Sequence, residues 1–167
     1  MKNFQIRFAK EDDSGIILRL IQGLAQYEKL SHQVTATQEG IRETLFVKRQ
    51  AEVIIAQEDG KAVGFALFFP NYSTFLGKAG IYLEDLFVLE EYRGRGYGKA
   101  LFERLAQIAE ERGCERMDWW CLDWNKSSID FYKSMAAVPM DEWTVWRLEK
   151  AAIKRLADKQ PCRDYKL

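Results

Sequence analysis

Arg93-Gly94-Arg95-Gly96-Tyr97-Gly98-Lys99 is the stretch that decides the reading of this chain. Three glycines at alternate positions let a backbone bend tightly and turn successive N–H groups inward. The run empties into a helical pattern, where further N–H groups lack intrahelical partners and the helix dipole favours negative charge. Such a loop is a phosphate or diphosphate site, and Arg93, Arg95 and Lys99 add positive charge at its rim. Two better-known phosphate loops are excluded by spacing. A P-loop needs Ser or Thr after Gly-Lys, but Ala100 follows Lys99. A dinucleotide fingerprint needs GxGxxG after a first strand, but this loop is GxGxG and follows a late one.

Downstream of the loop, Leu101, Leu105 and Ile108, flanked by Phe102 and Ala109, recur at helical spacing, and Gly113 is placed to cap the helix C-terminus. Upstream, Ala79–Leu89 reads as a long apolar strand with Glu84 and Asp85 in its middle. Before it, Ala51–Ala56 and Ala62–Phe69 pair across the Asp59-Gly60 turn, with Pro70-Asn71-Tyr72-Ser73 ending the hairpin. Phe4, Ile6 and Phe8 alternate with polar residues as a first strand. Glu11-Asp12-Asp13-Ser14 starts a helix that its apolar periodicity carries to about Leu30, and Thr37 starts a second, short one. After the loop helix, Arg116–Leu122 reads as a strand, Lys126–Met135 as a helix opened by Asn125, Trp143–Leu148 as a last strand and Glu149–Lys159 as a terminal helix. Strands and helices interleave without strict alternation, so an α/β (α+β) fold with a mixed, helix-covered sheet is expected. No linker interrupts the 167 residues, and a single domain over 1–167 is expected.

Composition narrows the chemistry. Lys+Arg and Asp+Glu are equal at 25 each, so no net field draws the chain to nucleic acid or an anionic membrane. No apolar run reaches membrane-spanning length, and the first residues lack a signal-peptide core. Cys114, Cys121 and Cys162 make an odd set without a CxxC, which fits reduced thiols in the cytoplasm. His32 is the sole histidine, in a polar run that reads as surface loop. A Ser-His-Asp hydrolase and a multi-histidine zinc site are therefore disfavoured, and no metal is expected.

The pattern [Gln/Arg]-x-x-Gly-x-[Gly/Ala], met by Arg93 to Gly98, resembles the coenzyme A diphosphate loop of the GNAT superfamily of N-acetyltransferases. Within it the likeness is to the diamine acetyltransferases, meaning spermidine/spermine N-acetyltransferase and its thialysine-acetylating relative. It is carried by Ala25-Gln26-Tyr27-Glu28-Lys29-Leu30, Tyr82-Leu83-Glu84-Asp85, Tyr92-Arg93-Gly94, Asp123-Trp124-Asn125, Phe131-Tyr132-Lys133 and Trp146-Arg147-Leu148. The chain departs from the family pattern at Thr144, where the polyamine enzymes carry a glutamate, and at Ala136-Ala137-Val138-Pro139, which lacks the Gly-Ala or Gly-Phe that commonly follows the tyrosine helix.

The resemblance implies a mostly antiparallel sheet whose fourth and fifth strands splay apart, and acetyl-coenzyme A as cosubstrate. Backbone groups of Leu86, Phe87 and Val88 would pair with the pantetheine arm. Arg93, Gly94, Arg95, Gly96, Tyr97, Gly98 and Lys99 would hold the diphosphate, and Asn125, Ser127 and Ser128 would face the far side of the cofactor. Tyr27, Glu28, Glu84, Asp85 and Trp146 would meet the acceptor. A homodimer is implied as well. The chemistry asks for a base, because an alkylammonium of pKa ~10.4 must lose a proton before it attacks. Glu84 is the candidate, directly or through one water, and Tyr132 is the candidate acid for the departing thiolate. On a regular strand Asp85 faces away from Glu84, so both serve one site only if a bulge re-aims one. The expected activity is direct acetyl transfer to a small cationic amine: a diamine, a polyamine or a lysine-like amine. A protein lysine, peptide or aminoglycoside as acceptor, or a non-catalytic cofactor-binding module, are the alternatives.

Overall fold

Asp59 and Gly60 both adopt positive φ (50° and 79°), the two-residue turn whose twist matches that of the flanking strands. They join β2 (Glu52–Glu58) to β3 (Lys61–Ser73), and the rest of the sheet is laid beside this hairpin. In the computed structural model, which describes residues 3–158, the sheet order is β1 (Phe4–Phe8), β2, β3, β4 (Lys78–Val88), β5 (Met117–Trp119). All neighbours are antiparallel except β4 and β5, which are parallel. The mixed, mostly antiparallel sheet expected from the sequence is the one observed.

Helices cover both faces. On one, α1 (Ser14–Tyr27) and α2 (Gln38–Ile41) set Ile17, Leu20 and Ile41 against Val53, Ile55, Phe65 and Phe87. On the other, α3 (Tyr97–Glu111) packs on β2, β3 and β4. Its stripe of Leu101, Leu105 and Ile108 is fully buried, each side chain contributing roughly 1.5–3 kcal/mol by leaving water. Gly113 closes α3 in the left-handed region, with Cys114 N–H donating to Ala109 O at 2.9 Å.

Several boundaries differ from expectation. α1 stops at Tyr27 because Lys29 takes positive φ (62°) and Leu30 N–H turns back to Ala25 O, a left-handed cap made without glycine. α2 opens at Thr37, whose Oγ1 accepts from Gly40 N–H at 3.0 Å, and runs on into a π-helical turn, Arg42–Val47. The β3–β4 hairpin does not end at Pro70; it pairs through Ser73 and Lys78. Pro70 is tolerated because β2 starts at Glu52, opposite Phe68, so no strand flanks Pro70 on the side its missing N–H would face. β5 is three residues long rather than seven. It pairs with Ile81–Leu83 only, and past Leu83 a bulge in β4 takes the partner edge away.

The chain divides into two compact units, Met1–Trp120 and Cys121–Leu167. The second holds α4 (Lys126–Ser134) and α5 (Lys150–Ala157). Residues 143–148, expected as a strand, are irregular: among the described residues this unit contains no strand to pair with. Trp143, Val145, Trp146 and Leu148 are exposed there. His32 lies exposed in a 3-10 turn, Ser31–Gln33, and Cys162 falls outside the described residues. No helix among them is long and apolar enough to cross a membrane.

Candidate active site

The glycine loop joins the carboxyl end of β4, through the 3-10 turn Glu90–Tyr92, to the start of α3. Gly94 and Gly96 sit at φ 73° and 83°, and a Cβ on either would meet nothing within 4 Å. Glycine is required here for conformation rather than for room, since other residues pay about 1–2 kcal/mol in the left-handed region. Gly96 is the N-cap of α3, and the first helical bond runs from Ala100 N–H to Gly96 O at 2.9 Å. The N–H groups of Tyr97, Gly98 and Lys99 therefore project from the helix start with no partner inside the helix. This backbone suits a diphosphate.

The loop's cationic side chains each have a partner within the protein. Arg93 places its guanidinium 4.5 Å from the Tyr27 ring centroid and 5.5 Å from that of Phe87, and its Nε donates to Val88 O at 3.0 Å. Arg95 pairs with Glu58 at 3.1 Å and donates to Glu91 O at 2.9 Å. Lys99 pairs with Glu103 one helical turn on, at 2.9 Å. Each cation is thus braced against the protein, and the amides at the helix start are the loop's donors without an intrahelical partner.

β4 supplies the edge beside the loop. Leu89 N–H donates to Val63 O at 2.9 Å, which sets the phase of the ladder. With Phe87 opposite Phe65 and Leu86 opposite Ala66, the peptide groups of Phe87 turn toward β3, and those of Leu86 and Val88 turn outward. β5 accompanies β4 only as far as Leu83, so no strand of the sheet continues beside Leu86 and Val88. Of the three residues expected along a pantetheine arm, two thus present their backbone to the splayed side, and the third is committed to the sheet.

The acidic pair lies on a bulge. Leu67 is opposite Asp85 and Phe68 is opposite Leu83, so Glu84 is the extra residue. A bulge flips the alternation downstream of it. Leu83 stays on the α3 face, while Asp85 joins Leu67 and Phe87 on the face covered by α1. The end of that helix brings Glu28 toward it. Burial, with the charges of Glu84 and Glu28 nearby, pushes the Asp85 carboxyl up to about 7, and burial also raises that of Glu28. Glu84 is exposed. Tyr27, Glu28, Glu84, Asp85, Phe87 and Arg93 thus belong to one region of the first unit. The sequence showed the two acids, but the extra residue is visible only once the partner strand is known.

The remaining expected residues belong to the second unit. Asn125 is buried and caps α4, its Oδ1 accepting from Ser128 N–H at 3.3 Å; Ser127 and Ser128 lie in the first turn. Tyr132 is half-buried on the same helix, its ring centroid 5.3 Å from that of Phe131. Trp146 is 88% exposed. Sequence reasoning passed over Glu58, a buried acid at the β2 turn that holds Arg95.

A splayed sheet with a left-handed glycine loop at a helix start is the framework of an acyl-coenzyme A-dependent N-acetyltransferase. The model of the acetyltransferase (GNAT) family matches residues 18–136, and the chain belongs to that family, whose members use acetyl-coenzyme A. It is similar to a thialysine N-epsilon-acetyltransferase of Bos taurus, 40% identical, with 92% of this chain and 97% of that protein covered. It is also similar to an L-ornithine N5-acetyltransferase of Arabidopsis thaliana, 32% identical over 91% of this chain and 87% of that one. Among solved structures, an integron cassette protein of V. cholerae superposes with a TM-score of 0.76 at 27% identity, covering 93% of this chain and 98% of its own.

Proposed function

We propose that this N-acetyltransferase moves the acetyl group of acetyl-coenzyme A directly to the primary amine of a small cationic acceptor: a diamine, a polyamine or a lysine-like amine. The whole chain, 1–167, works as one acetyltransferase domain. The relatives are named for side-chain nitrogens of thialysine and ornithine. The observation that carries the reading is the bulge of β4, which gathers Glu84, Asp85 and Glu28 with no ion-pair partner for them among the described residues. Uncompensated carboxylates favour an ammonium guest.

In this reading Glu84, exposed on the bulge, meets the ammonium and takes its proton directly or through one water. Asp85 stands behind it with an affinity for protons near neutrality, where a base is most effective. The freed nitrogen attacks the thioester carbonyl; a C–N bond forms and the C–S bond breaks. Tyr132 donates a proton to the departing sulfur, whose thiol has a pKa of ~8.5 and needs little help to leave. Outward backbone groups of Leu86 and Val88 take the pantetheine arm, and the amides from Gly96 to Lys99 take the diphosphate. The family likeness assigns Ser127 and Ser128 to the far side of the cofactor, and Tyr27, Glu28 and Trp146 to the acceptor. A cytoplasmic homodimer completes the reading, supported by the family likeness and the exposed tryptophans near the C-terminus.

Thiol release from acetyl-coenzyme A, measured across diamines, polyamines, lysine analogues, aminoglycosides and lysine-containing peptides, tests the assignment. Turnover is expected with the small amines. Turnover with peptides alone would defeat the small-amine reading, and binding of the donor without thiol release to any amine would establish a non-catalytic module instead.

A further inference from the structure

Glu58 ends β2, immediately before the Asp59-Gly60 turn, and is only 6% exposed. A carboxylate in such a place needs strong partners, and two of them come from the glycine loop, 37 and 39 residues further along the chain. Arg95 Nη1 lies 3.2 Å from Oε1 and 3.1 Å from Oε2. The Tyr97 hydroxyl donates to Oε2, and that bond holds the phenol in its protonated form. The Tyr97 ring stacks on Phe4 of β1, centroids 4.3 Å apart and planes 6° apart. Arg95 also lies over the Tyr92 ring at 5.0 Å and donates to Glu91 O.

These contacts flank Gly96. Arg95 and Tyr97 are its immediate neighbours, and both are fastened to one buried carboxylate. Gly94 and Gly96 have the largest backbone freedom of any residue type and lose the most on being fixed. A loop of this composition reaches one conformation only if something outside it imposes that conformation. Glu58 does so from the end of β2, an interior strand, and together with Arg95 it adds no net charge beside a diphosphate.

Resting on the acetyl-coenzyme A reading above, we propose that Glu58 is a positioning residue for the acetyl donor: through Arg95 and Tyr97 it fixes the glycine loop in the arrangement that binds the diphosphate. Its effect belongs to donor affinity and not to the acetyl-transfer step or to the amine.

Calorimetric titration with coenzyme A, together with steady-state kinetics, tests this. Glu58→Ala is expected to weaken coenzyme A about tenfold and to raise the KM for acetyl-coenzyme A in step, about the worth of one charge-assisted hydrogen bond. At saturating donor, kcat stays within about twofold of wild type and the KM of the amine is unchanged. Glu58→Gln, which keeps an acceptor for both partners, recovers most of the affinity. A purely structural role would spread the loss over kcat and both KM values, and that result overturns the proposal. Should Glu58→Ala not fold, Tyr97→Phe and Arg95→Met, made singly, carry the same test; wild-type coenzyme A affinity in both overturns it. Wild-type protein that gives no heat with coenzyme A removes the donor reading and this proposal together. Wild-type protein that binds, with variants of unchanged affinity, removes this proposal alone.

Discussion

The glycine loop and the β4 bulge lie a few residues apart and are built on opposite principles. In the loop, Arg93, Arg95 and Lys99 are each spent on the protein itself, against Val88 O and two rings, Glu58, and Glu103. What faces outward is backbone. In the bulge, the charges of Glu84 and Glu28 both act on Asp85, and what is presented is side-chain charge without an ion-pair partner among the described residues. The donor end of the reaction thus rests on conformation, which pH does not alter, and the acceptor end on ionisation, which it does. The largest effect expected from breaking this contrast comes at Asp85. In Asp85→Asn, which removes the carboxyl standing behind the Glu84 base, kcat/KM for the amine falls by about 10², the lower end of the scale of general-base catalysis, while coenzyme A affinity is unchanged. Wild-type kcat/KM rises with pH through about 7, and the variant lacks that limb.

Stability at the same position moves the other way. The folded state raises the Asp85 carboxyl to about 7 from an ordinary 3.8, so folding favours the protonated form. The contribution of this group to stability is fullest below about 4 and falls as pH rises to about 7. At about 1.4 kcal/mol per pH unit, the loss is at most roughly 4 kcal/mol. Asparagine removes the penalty. Above pH 7 Asp85→Asn is expected to melt at a higher temperature than wild type, with the gap closing toward pH 4. A variant melting below wild type at pH 8 would show that the carboxylate is structural rather than held for function.

Gly96 sharpens the contrast from the donor side, with a smaller effect. Its φ of 83° and the open space around it mean that Gly96→Val does not clash; it forces the backbone out of the left-handed region, at a cost of about 1–2 kcal/mol or more for a β-branched residue. Coenzyme A affinity should fall by about ten- to thirtyfold, equally at pH 6 and pH 8, with kcat at saturating donor close to wild type. Titration at the two pH values checks it. An affinity loss confined to one of them would mean that side-chain charge, and not backbone, grips the diphosphate.

These regions also differ in how far the sequence exposed them. Glycine spacing and the stripe of Leu101, Leu105 and Ile108 are local signals, and the loop, its helix and the Asp59-Gly60 hairpin follow from them directly. The bulge at Glu84 is a two-against-one pairing, so it exists only relative to β3. The partners of the loop cations are equally remote: nothing near Arg95 in the chain announces that Glu58 will bind it. Residues 143–148 show the same limit in reverse. Alternating apolar residues make a strand only where an edge is on offer, and the second unit has none among its described residues. The end of α1 was missed because Lys29 takes a left-handed conformation that usually belongs to glycine.

That last point recurs at Ala136, which gives the smallest effect and the cleanest control for Gly96. Ala136 sits at φ 63° after α4, with its own N–H bonded to Lys133 O at 3.0 Å and Ala137 N–H bonded to Tyr132 O at 3.1 Å. This is the left-handed helix cap that glycine closes at Gly113 in α3. Here alanine pays the steric cost of the conformation. Ala136→Gly relieves it while adding chain freedom to the unfolded state, so the net gain is modest, about 0.5–1 kcal/mol. Denaturant unfolding should show a higher midpoint with an unchanged slope, and coenzyme A affinity should not move. If left-handed strain alone decides what these positions do, Ala136→Gly and Gly96→Val change stability in opposite directions, and only the second changes donor binding. A shift in coenzyme A affinity from Ala136→Gly would tie the end of α4 to the donor site and end the division of labour drawn between backbone and charge.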